Sequence, residues 1–335
     1  MSRTRKPLQR ALLALLGALL FVVGVRALAS NTEVRVERLH DGAAHAVTID
    51  LVSTAAVSKD VLFDESFDVR SGGQLLVDLG SENVTVETVS GTRARVVVEG
   101  RGRDAAAEFE RRRFSARVRS GDLTVRTDPP RRRWSMNRRD ASFQVTIEIP
   151  RRYSALVDLG SGNVQVASIE GDLTVDVGSG NVDVADVTGR RVVLDTGSGN
   201  VRARSLRGEV RIDTGSGNVE VDRVEGSLWV DTGSGSVSVG SVDGPAEVNT
   251  GSGSVELTLR SATTATVDTG SGSITVRVPR GAGFDLDAEG GSLRIDDGLD
   301  FSGTRDRDEA RGRIGRGGPD LRLSAGSGTV RLVRV

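Results

Sequence analysis

The feature that most limits what this chain can fold into is a repeat of 18 or 19 residues. Each repeat contains a Gly-Ser-Gly corner, and short stretches of alternating apolar and polar residues lie on both sides of it. The first glycines of successive corners are Gly160, Gly178, Gly197, Gly215, Gly233, Gly251 and Gly270. A period this regular predicts a solenoid, because each repeat buries its apolar side chains against its neighbours.

The alternation predicts two short strands per repeat, with Glu220 and Trp229 on the outside. The predicted inward side chains are Val219, Val221, Leu228 and Val230, with Val164, Val166, Leu173 and Val175 before them and Ile274, Val276, Phe284 and Leu286 after them. The glycine content and the β-branched bias exclude helices here. The predicted fold class is all-β: a single-chain, right-handed parallel β-helix with about 18–19 residues per rung.

Composition agrees with a thin, regular interior. Aromatic residues make up only 3% of the chain, and Gly is present 42 times. We expect the glycines at the corners because the backbone angles there penalise a Cβ atom. The chain contains no cysteine, which excludes disulfides, thiolate metal sites and a cysteine nucleophile.

The first 29 residues have the pattern of an export segment. Arg3, Arg5, Lys6 and Arg10 precede an apolar run from Ala11 to Val25. Ala27-Leu28-Ala29 fits a signal peptidase site, whereas Arg26 suits the interface of a retained anchor, and a buried soluble helix is the third alternative. A signal peptide or an anchor would place the rest of the chain outside the cytoplasm.

Four segments follow from these patterns. Residues 1–29 are the signal peptide or membrane anchor, and residues 30–59 are a linker with a possible first strand. Residues 60–153 are a degenerate N-terminal half of the solenoid, with a short helical excursion near 102–113. Residues 154–335 are the regular solenoid, in which Glu289 takes the corner position after Gly270 and a polar loop near 298–318 replaces the next turn before Gly326.

Three stretches carry a family resemblance. "VTIEIPRRYSALVDLGSGNVQV" and "ITVRVPRGAGFDLDAEGGSLRI" both run from a strand through Pro150 or Pro279 to a second strand and a glycine-containing corner, and "GGPDLRLSAGSGTVRLVRV" ends the chain. Together they resemble the bacterial domain of β-strand repeats called the toast-rack or putative-adhesin domain, over about residues 60–335. The resemblance implies a β-helix outside the cytoplasmic membrane or at the cell surface. It implies no catalytic residues, and some members of the family accompany envelope-stress signalling proteins.

An acidic ladder is the first candidate site. Asp158, Asp176, Asp195, Asp213, Asp231, Asp268 and Asp287 all lie two residues before a corner position, with Asn249 interrupting the series. Two interpretations remain open. The side chains cap backbone N–H groups of the corner, or Asp176, Asp195, Asp213 and Asp231 bind a cation such as Ca²⁺, which favours carboxylate oxygens.

The polar residues after each corner are predicted to be structural. They are Asn163, Asn181, Asn200, Asn218, Ser236, Ser254, Ser273 and Ser292. Such side chains bond the turn backbone or one another along a stack. Asp183, Arg202 and Glu220 alternate in sign on successive rungs, which is typical of a solvated ladder.

The sharpest charge anomaly is "RRRWSMNRR". Arg131, Arg132, Arg133, Trp134, Arg138 and Arg139 suit contact with an anionic surface, such as lipid headgroups or an envelope polymer. A solvated loop between strands is the alternative. The formal net charge of the whole chain is −1, and loss of residues 1–29 removes five positive charges and no acids, which argues against nucleic acid as a partner.

No catalytic constellation is present in the sequence. His40 and His45 are the only histidines, and neither zinc binding nor general-base catalysis is expected of them. The corner serines lack an activating base, and the carboxylates form a uniform series rather than a distinct pair.

The sequence therefore predicts no enzyme and no cofactor. It predicts a non-enzymatic envelope protein with a rigid binding surface, an adhesin-like protein or a stress-sensing accessory. A polysaccharide-active enzyme and a structural spacer are the alternatives, and the expected partner is an envelope polymer, the membrane surface or an envelope protein. The oligomeric state is left open.

Overall fold

The computed structural model describes residues 33–36, 49–52, 59–128 and 141–335. The described residues form 28 strands and one helix. Residues 1–59 and 60–335 are two separate compact units. The first unit contains β1 (Glu33–Val36) and β2 (Ile49–Val52), which pair antiparallel.

The second unit is one sheet of 26 strands. Its N-terminal part contains β3 (Lys59–Asp68), β4 (Gln74–Leu79), β5 (Asn83–Val89), β6 (Arg93–Arg101), α1 (Ala105–Arg112), β7 (Ser115–Arg119), β8 (Asp122–Arg126) and β9 (Ser142–Pro150). The helix α1 lies within the segment 102–113, where an excursion was expected.

The regular middle part runs from residue 154 to residue 278. Its strands are β10 (Ser154–Leu159), β11 (Val164–Val166), β12 (Ile169–Glu170), β13 (Leu173–Val177), β14 (Val182–Ser198), β15 (Val201–Ser216), β16 (Val219–Glu225), β17 (Leu228–Ser234), β18 (Val237–Val242), β19 (Ala246–Ser252), β20 (Val255–Leu259), β21 (Ala265–Ser271) and β22 (Ile274–Val278). The C-terminal part consists of β23 (Phe284–Glu289), β24 (Ser292–Ile295), β25 (Phe301–Arg305), β26 (Glu309–Ile314), β27 (Asp320–Ala325) and β28 (Thr329–Arg334).

The middle strands form two parallel stacks. Stack A contains the strands that lead into the Gly-Ser-Gly corner, such as β17 and β19, and stack B contains the strands that follow it, such as β16 and β18. A rung is one strand of each stack with the corner between them. Beside the corners the rungs pair in parallel and in the same register, as Val230↔Val248 and Val221↔Val239 illustrate, and register shifts lie near Thr188/Arg191 and Val239/Val242. The predicted parallel β-solenoid with 18–19 residues per rung is therefore confirmed, and its right-handed winding stays a prediction.

The core lies between the two stacks and is aliphatic. All twelve side chains that the alternation places inside are buried, and Val175, Val230 and Ile274 have no exposed surface. The outward residue Glu220 is exposed, and Trp229 is half-buried. The core prediction is therefore confirmed.

A column of buried threonines was not foreseen. Thr196, Thr214, Thr232, Thr250 and Thr269 immediately precede the corners and are at most 4% exposed. Each hydroxyl donates a hydrogen bond of 2.9–3.4 Å to the carbonyl oxygen of the second corner glycine in the preceding rung. The hydroxyls are thus satisfied inside the core, and they connect one corner to the next.

Both ends of the coil depart from chain order. At the N-terminal end, β4 lies between β8 and β10, although β8 follows β4 in the sequence. At the C-terminal end, β27 pairs with β21, and β23 is displaced to the far side of β27. The expectation that Glu289 follows Gly270 directly in the stack is therefore wrong, because the rung that contains Gly326 lies between them.

Antiparallel strands cover these ends. At the N-terminal end β7 pairs with β8 and β6 pairs with β9, and at the C-terminal end β26 pairs with both β23 and β25. The segment expected to be a polar loop near 298–318 thus contains the hairpin of β25 and β26. Terminal strands of this kind occupy the hydrogen-bonding groups that an open last rung would expose.

The N-terminal end is also closed by aromatic side chains and one ion pair. Phe63, Phe109 and Phe143 belong to a chain of ring contacts in which the centroids are 5.0–6.2 Å apart. Arg112 of α1 forms an ion pair with Glu82, which is only 2% exposed. The helix is thereby fixed to the first corner of the solenoid.

The corner glycines are required by contact between rungs as well as by backbone conformation. Gly235, the second glycine of its corner, has φ +149°, which a side chain rarely adopts. Gly233, the first glycine of the same corner, is not in that region, but a Cβ atom there would lie 2.7 Å from the carbonyl oxygen of Gly215. Stacking alone therefore requires glycine at position 233. At Gly80, which has the same place in an earlier corner, the nearest atom is a Glu82 oxygen at 3.8 Å.

We predict that Gly233→Ala destabilises the solenoid by about 1–3 kcal/mol, the usual cost of overpacking a close contact. Gly80→Ala is the matched control and should change stability by less than about 0.5 kcal/mol. Urea midpoints of the two variants and the original protein measure the difference. Equal losses at both positions would contradict the stacking explanation.

Candidate binding surfaces

The in-register stacking turns outward residues into columns. Asp78, Asp158, Asp176, Asp195, Asp213 and Asp231 are register partners on the outer face of stack A, and we call them the acidic column. Asn249 follows Asp231, and Asp268 follows Asn249. The predicted ladder is thus assembled, with one exception. Asp287 lies opposite Arg322 instead and accepts a hydrogen bond from Arg311, because β23 pairs with β27 in a register that puts Glu289 opposite Ser324, the partner of Asp268.

The acidic column is short of positive partners. Within the described residues, Asp158, Asp176, Asp195 and Asp231 form no ion pair, and Arg211 lies 3.5 Å from Asp213. Burial raises the pKa of Asp158, and the charges of Asp176 and Asp78 raise that pKa further. Burial also raises the pKa of Asp195, with smaller contributions from Asp213 and Asp176. Two like charges about 5 Å apart in water repel by roughly 0.8 kcal/mol, so the column opposes folding at neutral pH.

Of the two interpretations of the acidic ladder, the structure contradicts the capping of corner N–H groups and leaves cation binding as a prediction. The proposed capping of corner N–H groups is wrong for the described part of the chain, because those groups donate to carbonyls of adjacent rungs, as Gly178 does to Leu159. The cation interpretation of Asp176, Asp195, Asp213 and Asp231 stays a prediction. Among the described residues, no group of three or more His, Cys, Asp or Glu side chains is arranged to hold a metal ion.

The asparagines after the corners perform the capping. The side-chain oxygen of Asn163 accepts hydrogen bonds from the backbone N–H of Asn181 at 3.0 Å and from its side-chain amide at 3.2 Å. The same bonds join Asn181 to Asn200, and Asn218 accepts from the N–H of Ser236. The prediction that this column is structural is confirmed for the asparagines and for Ser254 and Ser273, which accept from the next N–H, whereas Ser292 is not the next residue of the column and pairs with Thr329.

A groove crosses the outer face of stack B and was missed by the sequence reasoning. It has a volume of about 520 Å³ and extends over five rungs, from Thr85 and Glu87 to Glu220 and Asp222. Ala167 and Ala185 form part of its lining, at a position where later rungs carry Arg204 and Asp222. Alanine at an outward position that is charged in other repeats is the sequence pattern that could have indicated this groove.

The wall of the groove is a network of ion pairs. Arg202 lies 3.8 Å from Asp183 and 3.6 Å from Glu220, as the alternating signs predicted. Arg204 makes a bidentate contact with Asp186, whose second oxygen also accepts a hydrogen bond from Ser168. The hydrogen bond from Arg204 lowers the pKa of Asp186, against the opposing effect of burial. The lining itself contains two arginines and four acids, Glu87, Asp183, Glu220 and Asp222, so the wall is charged with an excess of carboxylates.

An apolar stripe lies beside the acidic column. The register partners Leu76, Leu156, Thr174 and Val193 lie two residues before the corresponding aspartates, on the same outer face. We call these four residues the apolar stripe. Arg211 and Trp229 continue the series, with the guanidinium 3.6 Å from the centre of the indole ring. The sequence reasoning missed the stripe because the alternation marks these positions only as outward.

Several predicted features lie outside the described residues. They include Arg131, Arg132, Arg133, Trp134, Arg138 and Arg139, the histidines His40 and His45, and the export segment 1–29. Within the described ranges, no helix has the length and apolar content needed to cross a membrane.

Comparison with known proteins gives one family and several similar structures. A model of the family described as Toastrack DUF4097 matches residues 73–333. A putative adhesin from Bacteroides fragilis is 14% identical with a TM-score of 0.39, and the match covers 83% of this chain and 99% of that one. A putative adhesin from Parabacteroides distasonis is 13% identical with a TM-score of 0.38, covering 83% and 98%. A putative lipid binding protein from the same organism is 14% identical with a TM-score of 0.35, covering 81% and 96%. No curated protein matches the chain.

The raised pKa of Asp195 predicts that Asp195→Asn stabilises the protein at pH 7, by about 0.5–1 kcal/mol, because it removes a charge that the folded state disfavours. The gain should vanish as the pH falls through the folded pKa and then below the ordinary aspartate value, where the carboxyl is protonated in both states. Asn249 already occupies this column, so the substitution fits. Thermal midpoints between pH 3 and pH 7 measure the effect.

Asp186→Asn is the matched control with the opposite sign. Its pKa is lowered in the folded state, so the substitution should destabilise the protein at pH 7, by about 0.5 kcal/mol. This loss is present above the ordinary aspartate pKa and disappears as the pH falls through the folded value. If both substitutions stabilised the protein at pH 7, or both destabilised it, the opposite effects assigned to the charges of Asp195 and Asp186 would be contradicted.

Proposed function

This chain belongs to the Toastrack DUF4097 family, and we propose that it is a non-enzymatic binding scaffold of the cell envelope. The resemblance of the Pro150 and Pro279 segments to the toast-rack domain is thereby confirmed. In our proposal the chain is exported, and it is either released or held at the membrane by its N-terminal apolar segment. It presents the outer faces of the solenoid to an envelope polymer or an envelope protein, in an adhesin-like or a sensing role.

The observation that carries the proposal is the groove on stack B. Its lining comes from five successive rungs, so the backbone of every lining residue is fixed by parallel strands on both sides. A ligand there would meet a surface that needs little reordering, and such preorganisation favours affinity. Open grooves with a few charged groups on a rigid support are typical of recognition surfaces.

The chemistry of the chain favours binding over catalysis. The groove wall contains Asp, Glu, Arg and Gln side chains, and two of its acids, Asp183 and Glu220, lie close to Arg202. The whole chain contains two histidines and no cysteine, and both histidines precede the solenoid. A general acid or base with a matched partner is what hydrolysis of a glycan would require.

The proposed location rests on the N-terminal sequence. A positive segment, an apolar run of fifteen residues and Ala27-Leu28-Ala29 are together typical of exported proteins. A solenoid closed by hydrogen bonds and aliphatic packing needs no disulfide for stability, so the absence of cysteine is compatible with export.

We predict that a photo-crosslinking amino acid at Ala185, in the groove, captures an envelope component in intact cells. The same amino acid at Ser238 is the control, because Ser238 is exposed on stack B but lies outside the groove. Digestion of the product with proteases or glycan hydrolases then identifies its class.

Protease added to spheroplasts should degrade the protein if it lies outside the membrane.

Two outcomes would contradict the proposed function. Absence of a cross-link from position 185 in the native envelope would favour a spacer without a ligand. New reducing ends or unsaturated products after incubation of the purified protein with envelope glycans would favour a polysaccharide-active enzyme.

A further inference from the structure

The outer face of stack A combines two columns that have different chemistry. The apolar stripe and the acidic column run side by side along the stacking direction, and they share the rungs of Leu76, Leu156, Thr174 and Val193. Residues two apart on one strand lie about 7 Å apart on the same face. Across its width, this face therefore has an apolar side and an acidic side.

The apolar stripe is accessible. Leu76 is 38% exposed, and Leu156, Thr174 and Val193 are half-buried. Farther along the same series the residues become polar, with Glu247, Thr266 and Arg322. The apolar character is thus confined to the half of the solenoid where the acidic column is continuous. Partly exposed apolar side chains on adjacent rungs, bordered by charge, suit an interaction site.

The acidic column supplies the charge that a partner would complement. Asp158, Asp176 and Asp195 are stacked one rung apart and have no ion pair within the described residues. Burial and their mutual repulsion raise the pKa of Asp158 and of Asp195, so positive charge brought to this face would be favoured. A second copy of this chain is disfavoured as the occupant, since it would bring another acidic column.

We propose that this face binds a basic amphipathic helix of a protein partner. Its apolar side chains would pack on Leu76, Leu156 and Val193, and its lysines or arginines would pair with the acidic column. Successive rungs are about 4.8 Å apart, and successive turns of an α-helix are 5.4 Å apart, so a helix along the stack matches the columns over four or five rungs. A strand could not add to this face, because the backbone groups of stack A are paired within the sheet.

The amphipathic face of stack A and the groove on stack B have no residue in common. The groove is lined by outward residues of the strands after the corner, and the amphipathic face by outward residues of the strands before it. Failure of one surface to bind would therefore leave the other untouched.

The test uses a fluorescent 18-residue peptide of leucine and lysine, designed as a helix with leucines on one face and lysines along its borders. Fluorescence anisotropy with the full-length protein measures the dissociation constant. We expect saturable binding that weakens as salt is added, because part of the attraction is between exposed charges. A peptide of the same composition in scrambled order, and one with glutamate in place of lysine, should bind at least tenfold more weakly.

The decisive variant is Asp176→Asn/Asp195→Asn/Asp213→Asn. Asn249 shows that the column accepts asparagine, and circular dichroism checks that the variant folds. We expect at least a tenfold loss of affinity and a weaker dependence on salt. Asp297→Asn/Asp300→Asn removes two negative charges from exposed residues outside both candidate surfaces and should stay within twofold of the original protein. Leu156→Ser/Val193→Ser should also lose at least fivefold.

Four results would overturn the proposal. Equal binding of the scrambled peptide, or unchanged affinity of the triple variant, would exclude a site on this face. Self-association that the triple variant abolishes would assign the face to a second copy of the chain. Tighter peptide binding after replacement of Arg131, Arg132, Arg133, Arg138 and Arg139 by serine would assign it to the chain's own arginine-rich segment.

Discussion

The close approach of one corner to the next is the contact on which the rest of this structure depends. A Cβ atom at Gly178 or Gly233 would lie 2.5–2.7 Å from the carbonyl oxygen of the corresponding glycine in the preceding rung. The threonines before five of the corners donate to the preceding corner, as Thr232 does to Gly217, and the asparagines after the earlier corners accept from the following rung, as Asn200 does from Asn218. These contacts fix the register of neighbouring rungs to a single residue. The strands beside the Gly-Ser-Gly corners keep one register from rung to rung, and the register shifts of the middle part lie away from these corners, near Thr188/Arg191 and Val239/Val242. Outward positions therefore line up in columns, and the candidate surfaces are made of such columns.

The ends of the coil differ from the middle because a terminal rung has no neighbour on one side. A repeating rung leaves an open edge and an uncovered core at each terminus, and the chain covers both with antiparallel strands. The aromatic residues are used for the same purpose. Of the phenylalanines within the described ranges, Phe63, Phe67, Phe109, Phe114 and Phe143 lie in the N-terminal part, and Phe284 and Phe301 lie in the C-terminal part. The narrow interior between regular rungs is filled by valine, leucine and isoleucine, which explains the low aromatic content of the whole chain.

The sequence predicted the middle of the fold well and the ends poorly, for a physical reason. Period and alternation are local properties, and they correctly identified the parallel rungs and inward residues such as Val219 and Leu228. Spatial order is not local. The 37 residues between Glu289 and Gly326 equal two periods, and this spacing is compatible with either order of the last two rungs. In the structure β27 stacks on β21, and β23 lies beyond β27, where it also pairs with the antiparallel β26. Glu289 itself lies opposite Ser324 and not at a corner. The acidic ladder was predicted because its period is visible, whereas the groove and the apolar stripe depend on which outward positions hold small or apolar residues on adjacent rungs.

An introduced disulfide can distinguish the observed order of the last rungs from stacking in chain order. The chain has no cysteine, so a disulfide can arise only from an introduced pair. Thr266 and Arg322 are register partners on adjacent strands, which places their Cα atoms about 4.8 Å apart, within the range of a disulfide. Oxidation of Thr266→Cys/Arg322→Cys should give a cross-linked chain that migrates faster on a non-reducing gel. Thr266→Cys/Asp285→Cys, which stacking in chain order would bring together, should stay reduced. Efficient closure of the second pair and not of the first would contradict this account of the fold.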